Sequence, residues 1–180
     1  MITAAGDTIS GIWNTTAGGD STLSINGSTD SGGYTSSESP AQAIDNNTNT
    51  KYVNFGNGNI TVNSTTKGVG TGFYVTPAVG LSTLSQFRVA TADDRANRDP
   101  LSATIECSSL TGSNLTKGSA WTLVYSGSTG LSTDPGRTTY GSDQLVNITM
   151  QCMSYRIIIT SQRAWEDSTQ YSEFELFGWY

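Results

Sequence analysis

Oxygen-bearing side chains crowd one short stretch of this 180-residue chain. Residues 38–56 read ESPAQAIDNNTNTKYVNFG, with Asp45, Asn47 and Thr50 in a polar bend just ahead of Tyr52. Hard cations such as calcium take about six to eight oxygens from carboxylates, amides, hydroxyls and carbonyls, and a tight bend aims several inward at once. The alternative is an Asx-rich turn satisfied by its own side chains; spacing alone does not separate the two. A second group lies in 87–100, FRVATADDRANRDP. There Asp94, Arg95 and Arg98 either face a polar ligand from a loop or form an internal ion pair that fixes the loop. An Arg and an acid this near commonly satisfy each other, which favours the internal pair. The third is Trp165, inside the charged run Arg163-Ala-Trp-Glu-Asp167. An indole among charges suits either a partly buried loop anchor or a plate for a sugar ring, a site type that joins apolar surface to a few aimed polar groups. Tyr34, Tyr140 and Tyr171 are weaker candidates for the same role.

The chain has no histidine. Neither a Ser/His nor a Cys/His nucleophile pair can therefore be built, and the usual zinc sites are excluded with them. Paired carboxylates of the glycosidase kind remain. Asp93/Asp94 and Glu166/Asp167 are the acidic pairs on expected loops, but adjacent acids on a surface loop are ordinarily solvated. The reading is therefore not an enzyme.

Short strands must position these groups. No window sustains a 3.6-residue period; the best helical candidate is a single turn at 40–44, opened by Pro40. Strand signals fall at 72–75 (GFYV), 84–90 (LSQFRVA), 102–107 (SATIEC), 121–125 (WTLVY), 145–150 (LVNITM), 155–160 (YRIIIT) and 171–177 (YSEFELF). The last alternates around Phe174 and Leu176, and Trp121 reads as core. Short strands at this spacing predict an all-β sandwich or jelly roll in a single domain. Residues 1–35 are low in complexity. They read as an N-terminal leader, either flexible or carrying an added strand at 22–25 (TLSI), with the domain proper over 36–180. Residues 57–72 look like a hairpin excursion. Cys107 and Cys152 both flank expected strands, which leaves a disulfide and two buried free thiols equally open.

Four stretches, in order, resemble the discoidin family, also called the coagulation factor type C family, which includes many carbohydrate-binding modules. The bend around Asp45 resembles the family's "A-x-D-G-D-x-x-T-x-W" turn. GFYVTP at 72–77 resembles its next strand, FRVATADDRANRDP its "A-N-D-x-x-x-R-D-P" strand and loop, and YRIIIT with QYSEFELFG its closing strands. The resemblance covers about residues 38–178. It implies a galactose-binding-like β-sandwich jelly roll whose chain ends lie close together, with one structural calcium shared by the early turn and the last strand. Carried over residue by residue, Asp45 and Thr50 would ligate through side chains. Asn47 stands at the family's second Asp and Glu173 at the Glu of the last strand, while carbonyls near Ala43 and Ser172 would complete the shell. Three positions depart from the pattern. Asn46 replaces Gly but tolerates a left-handed backbone. Asn47 removes one negative charge, which implies weaker calcium binding. Tyr52 replaces Trp. The ligand does not transfer, since galactose-binding members often use a His with an Arg and an Asn.

Fifteen acids against nine scattered bases give a net charge of −6. No basic stripe exists for nucleic acid, no stretch is apolar enough to span a membrane, and residues 1–8 show no signal peptide. The leading expectation is a non-catalytic glycan-binding or adhesion module, extracellular or displayed on a particle surface, with a glycan or cell-surface polysaccharide as partner. The alternative is a virus particle protein, a capsid decoration or tail-fibre component, whose partners are capsid or tail proteins that pin the leader.

Overall fold

A computed structural model describes residues 1–58 and 66–180. In chain order its strands are β1 Thr8–Trp13, β2 Thr22–Leu23, β3 Ile25–Asn26, β4 Gly33–Tyr34, β5 Tyr52–Asn54, β6 Gly72–Thr76 and β7 Thr83–Ala90. There follow β8 Pro100–Ser108, β9 Thr122–Ser128, β10 Gln144–Leu145, β11 Ser154–Gln162, β12 Thr169–Tyr171 and β13 Glu173–Trp179. Among the described residues the helical pieces are 3₁₀ turns of three to five residues, and no helix is long and apolar enough to cross a membrane. The architecture is the expected all-β sandwich.

One sheet has six strands in the order β2-β1-β6-β11-β8-β9. Opposite it lies β10-β7-β13, with β12–β5 as a two-stranded flank and β3–β4 as a short parallel pair. The core follows from two-residue alternation. Tyr155, Ile157 and Ile159 of β11, Phe73 and Val75 of β6, and Ala103 and Ile105 of β8 point inward. They meet Leu84, Phe87 and Val89 of β7 and Phe174 and Leu176 of β13. Phe87 and Phe174 stack at 5.2 Å between ring centroids.

The outer face of the six-stranded sheet is not left to solvent. Ile12, Tyr74 and Ile158 pack there against Leu115 and Trp121. Trp121 is buried as expected, but it stands just before β9, and its indole N–H donates to the Leu115 carbonyl at 3.0 Å. Beside this cluster, Arg156 and Glu106 form a fully buried ion pair at 2.6 Å.

The structure corrects some expectations and decides others that the sequence left open. Residues 1–35 are not a leader set apart from the domain: β1 pairs with β6 over five residues, and Ile2 and Ile12 are buried. The stretch 22–25 supplies β2, paired with β1, and the start of β3. The strand at 145–150 shrinks to Gln144–Leu145, with Leu145 exposed at the sheet edge. The strand at 171–177 is broken at Ser172 into β12 and β13, which join different sheets. Ser172 makes the switch by donating its N–H to Ala90 and its hydroxyl to the Thr91 carbonyl. The two cysteines are bridged, tying the end of β8 to the segment entering β11. Of the hairpin excursion at 57–72, residues 59–65 lie outside the described residues.

Candidate functional site

Strands β6, β8 and β13 begin, and β7 and β11 end, at one pole of the sandwich. That pole carries the bend after residue 44 and the loops at 91–99 and 163–168. Pro40 opens the 3₁₀ turn Pro40–Ala43, which delivers the chain into the bend. Asn46 then takes φ 60°, a left-handed conformation that Asn tolerates better than most residues.

Two carboxylates converge on one backbone N–H in this bend. Asn47 N–H donates to Asp45 Oδ1 at 3.0 Å and to Glu173 Oε1 at 2.7 Å. The Thr50 hydroxyl donates to Asp45 Oδ2 at 2.8 Å. Glu173 is fully buried, and its Oε2 has no hydrogen-bond partner. Burial, with the neighbouring Asp45 carboxylate acting in the same direction, pushes the Glu173 carboxyl up to about 8. Chemically the pair can share a proton or accept a cation. Asp45, Thr50 and Glu173 are thus brought together from opposite ends of the chain. Asn47 joins them through its backbone; its side-chain Oδ1 instead accepts from Asn49. Among the described residues no group of three or more Asp, Glu, Cys or His side chains is placed to hold a metal ion.

Beside the bend, charged residues pair with one another. Lys51 Nζ sits 2.7 Å from both Asp93 and Asp94. Burial alone would raise the Asp94 carboxyl, but hydrogen bonds from Lys51 and Gln170 outweigh it and hold it below its ordinary value. Arg98 reaches Asp167 at 2.7 Å and Glu166 at 3.5 Å, and the exposed Arg95 lies 3.9 Å from Glu166. Asp99 is fully buried, held by two nitrogens of Arg137 at 2.8 and 2.7 Å and by Arg163 at 3.2 Å. Both acidic pairs singled out as carboxylate candidates are thus engaged by Lys51 or Arg98.

Trp165 stays 53% exposed on this pole. Tyr171 does not join it, which corrects the expectation that it lines a ligand site. It is fully buried, edge-on to Tyr52 at 5.8 Å, because β12 turns inward before the switch at Ser172. A cleft of about 370 Å³ opens next to the Trp165 loop, lined by Asp30, Phe55, Lys67 and Asp167 among others. Phe55 and Lys67 were not singled out by their sequence, and neither was Asp30. They meet through Gly56, which has φ 55° and no room for a Cβ against the Lys67 carbonyl, and whose own carbonyl accepts from Gly32 at 2.6 Å. The Gly56/Gly58 pair was the available signal.

No family model matches the sequence, and no curated protein does. Solved structures do match. The CBM32-5 module of CpGH89 from Clostridium perfringens, bound to GalNAc-β-1,3-galactose, superposes with a TM-score of 0.55 at 11% identity, over 78% of this chain and 84% of that one. This is the galactose-binding-like β-sandwich fold of carbohydrate-binding modules. A family 32 module from C. perfringens NanJ, bound to galactose, agrees at a TM-score of 0.52 and 13% identity, over 78% of this chain and 85% of that one. A fucolectin from striped bass serum shares the galactose-binding-like fold at 0.52 and 14%, over 80% of this chain and 42% of its own.

Proposed function

We propose that this chain is a non-catalytic glycan-binding module that works outside the cell and is braced by one structural calcium. The observation that carries the reading is the half-exposed Trp165 on the loop whose Asp167 lines a polar cleft. Most of the charges around it are already paired, so what that rim offers a partner is an apolar ring edged by fixed polar groups, the combination that suits a sugar. The same fold in modules bound to galactose and to GalNAc-β-1,3-galactose supports it. The Cys107–Cys152 bridge supports an oxidising, extracellular setting. The virus-particle alternative finds no support in these likenesses.

Calcium fits the bend. The orphan Glu173 Oε2 and the adjoining Asp45 carboxylate form an oxygen cluster lacking positive charge. Asp45, Thr50 and Glu173 would hold the ion, with carbonyls near Ala43 and Ser172. The ion would neutralise the carboxylates and tie the bend to the start of β13, a role in stability. With Asn47 turned to Asn49, the site has two carboxylates and binds weakly. A glycan array followed by titration calorimetry with Trp165→Ala tests the function. Loss of binding in the folded variant is expected; a wild-type protein that retains no glycan at all refutes the reading.

A further inference from the structure

A cleft apart from the Trp165 loop opens on the outer face of the six-stranded sheet, toward the end where β6 begins and β11 finishes. It has a volume of about 530 Å³, within the usual range for small-ligand sites. Its floor is formed by the outward side chains of Thr104 on β8 and Ile158 and Thr160 on β11. Its wall is a strap of chain from Asn14 to Asp20, with Val69 and Gly70 closing one end.

That strap is built into the sheet. Gly18 N–H donates to buried Glu106 at 2.7 Å, and buried Arg156 donates to the Gly19 carbonyl at 2.8 Å. Gly118 N–H donates to Asp20 at 2.8 Å, and Thr15 N–H donates to the Gly70 carbonyl at 3.2 Å. The wall therefore has a set position before any ligand arrives.

The floor holds an unpartnered polar group. Thr104 is 94% buried, and its hydroxyl has no hydrogen-bond partner. One rung along the β8–β11 ladder, on the same face, Arg156 Nη2 also lacks one. Buried polar groups are ordinarily satisfied, so an orphan hydroxyl at a cleft floor favours a ligand that completes it. The lining also sets the ligand's charge. Asp20 is the charged side chain among the described lining residues, and it is already bonded to Gly118 and Lys117. Among the described lining residues no cation awaits a carboxylate, sulfate or phosphate, and Arg156, beside the floor, is already paired with Glu106. Four threonines, at 15, 16, 104 and 160, place methyls beside hydroxyls, while Ile158, Val69 and Ala17 add aliphatic surface. The described lining residues offer a ligand aliphatic and hydroxyl contacts rather than an aromatic ring.

We propose that this cleft is a second sugar subsite, separate from the Trp165 loop, that takes a neutral residue with a methyl-terminated substituent such as an acetamido group. The methyl would rest on Ile158 and the sugar's polar atoms would engage the threonines. The proposal rests on the glycan-binding reading above.

The test is amide chemical-shift mapping by NMR with N-acetylglucosamine, glucose and N-acetylneuraminic acid as probes. N-acetylglucosamine is expected to shift the amides around Thr15, Thr104 and Ile158, glucose to do so more weakly, and N-acetylneuraminic acid not at all. Thr104→Val keeps the shape and removes only the hydroxyl. It is expected to weaken binding about five- to tenfold, the value of one neutral hydrogen bond, while leaving the fold at least as stable. Ala17→Trp, at the exposed rim, is expected to block the cleft, and Trp165→Ala to leave it working. Shifts confined to the Trp165 loop and abolished by Trp165→Ala would overturn this proposal alone. Cleft shifts unchanged in both Thr104→Val and Ala17→Trp would also overturn it. A folded protein with no shifts anywhere would overturn this proposal and the glycan reading together.

Discussion

Arg156→Met is the most informative single perturbation of this fold. The Arg156 and Glu106 side chains are 0% and 1% exposed, and Arg156 Nε lies 2.6 Å from Glu106. Arg156 also donates to Gly19 O and Ser21 Oγ, and its guanidinium lies 5.0 Å from the Trp121 ring centroid. Methionine fills much of the same volume but leaves Glu106 buried, with the Gly18 N–H still donating to it but no cation in place of the guanidinium. Breaking a buried pair from one side costs about 3–5 kcal/mol, because the remaining charge is uncompensated. At about 2–4 °C per kcal/mol for a chain of this size, the midpoint of thermal unfolding should fall by about 6–20 °C. Replacing both partners, Arg156→Met with Glu106→Leu, removes the uncompensated charge and should recover most of that loss. Urea denaturation followed by tryptophan fluorescence measures all three variants, and the double-mutant cycle isolates the pair. A loss under about 1 kcal/mol for Arg156→Met, the level of a surface ion pair, would refute the claim that this pair anchors the strap. Strictly additive single losses would refute it too.

Four further outcomes follow from the same structure. Substituting both Cys107 and Cys152 by Ala releases a loop with a sequence separation of 45, which should cost about 4 kcal/mol in a chemical denaturation series run against the bridged protein. Calcium should raise the unfolding temperature of the wild type, and Asp45→Asn or Glu173→Gln should abolish that rise in differential scanning calorimetry. With calcium chelated, Glu173 titrates near 8 in the folded chain against an ordinary 4.5. The folded state then holds the proton more tightly, so this group's contribution is fully present below pH 4.5 and is lost as the pH rises through about 8. Glu173→Gln should flatten that part of the stability profile, and a wild-type profile already flat from pH 5 to 8.5 would contradict it. Trp165→Ala should leave the unfolding temperature within about 1 °C of wild type, because a half-exposed side chain contributes little to packing.

Much of the sandwich was legible because most of its strands are written in two-residue alternation. In β11, Tyr155, Ile157 and Ile159 face the core, and in β13 Phe174 and Leu176 do. The bend around Asp45 was legible for a different reason: left-handed Asn46 and the Asp45–Thr50 hydrogen bond are local, made within five residues. β1 was missed because it carries no such alternation. Gly11 faces inward, where a Cβ would strike the Tyr52 hydroxyl, and Ile12 faces outward into the second cluster. A strand covered on both faces, with a glycine where its core residue would stand, has a pattern indistinguishable from a polar leader.

From the sequence alone came what depends on residue type and near neighbours: an all-β chain of short strands, no histidine chemistry, and an oxygen-rich bend, with the glutamate of the last strand joined to that bend only through the family resemblance. Only the tertiary structure decided what depends on residues far apart. It joined Cys107 to Cys152, clamped Asp99 between Arg137 and Arg163, buried Tyr171 while leaving Trp165 outside, and drew the strap across the outer sheet onto Arg156 and Glu106. The physical reason is that alternation along a strand reports which face is buried but not what buries it. The covering partner is chosen by sheet order and loop path, which no local pattern records.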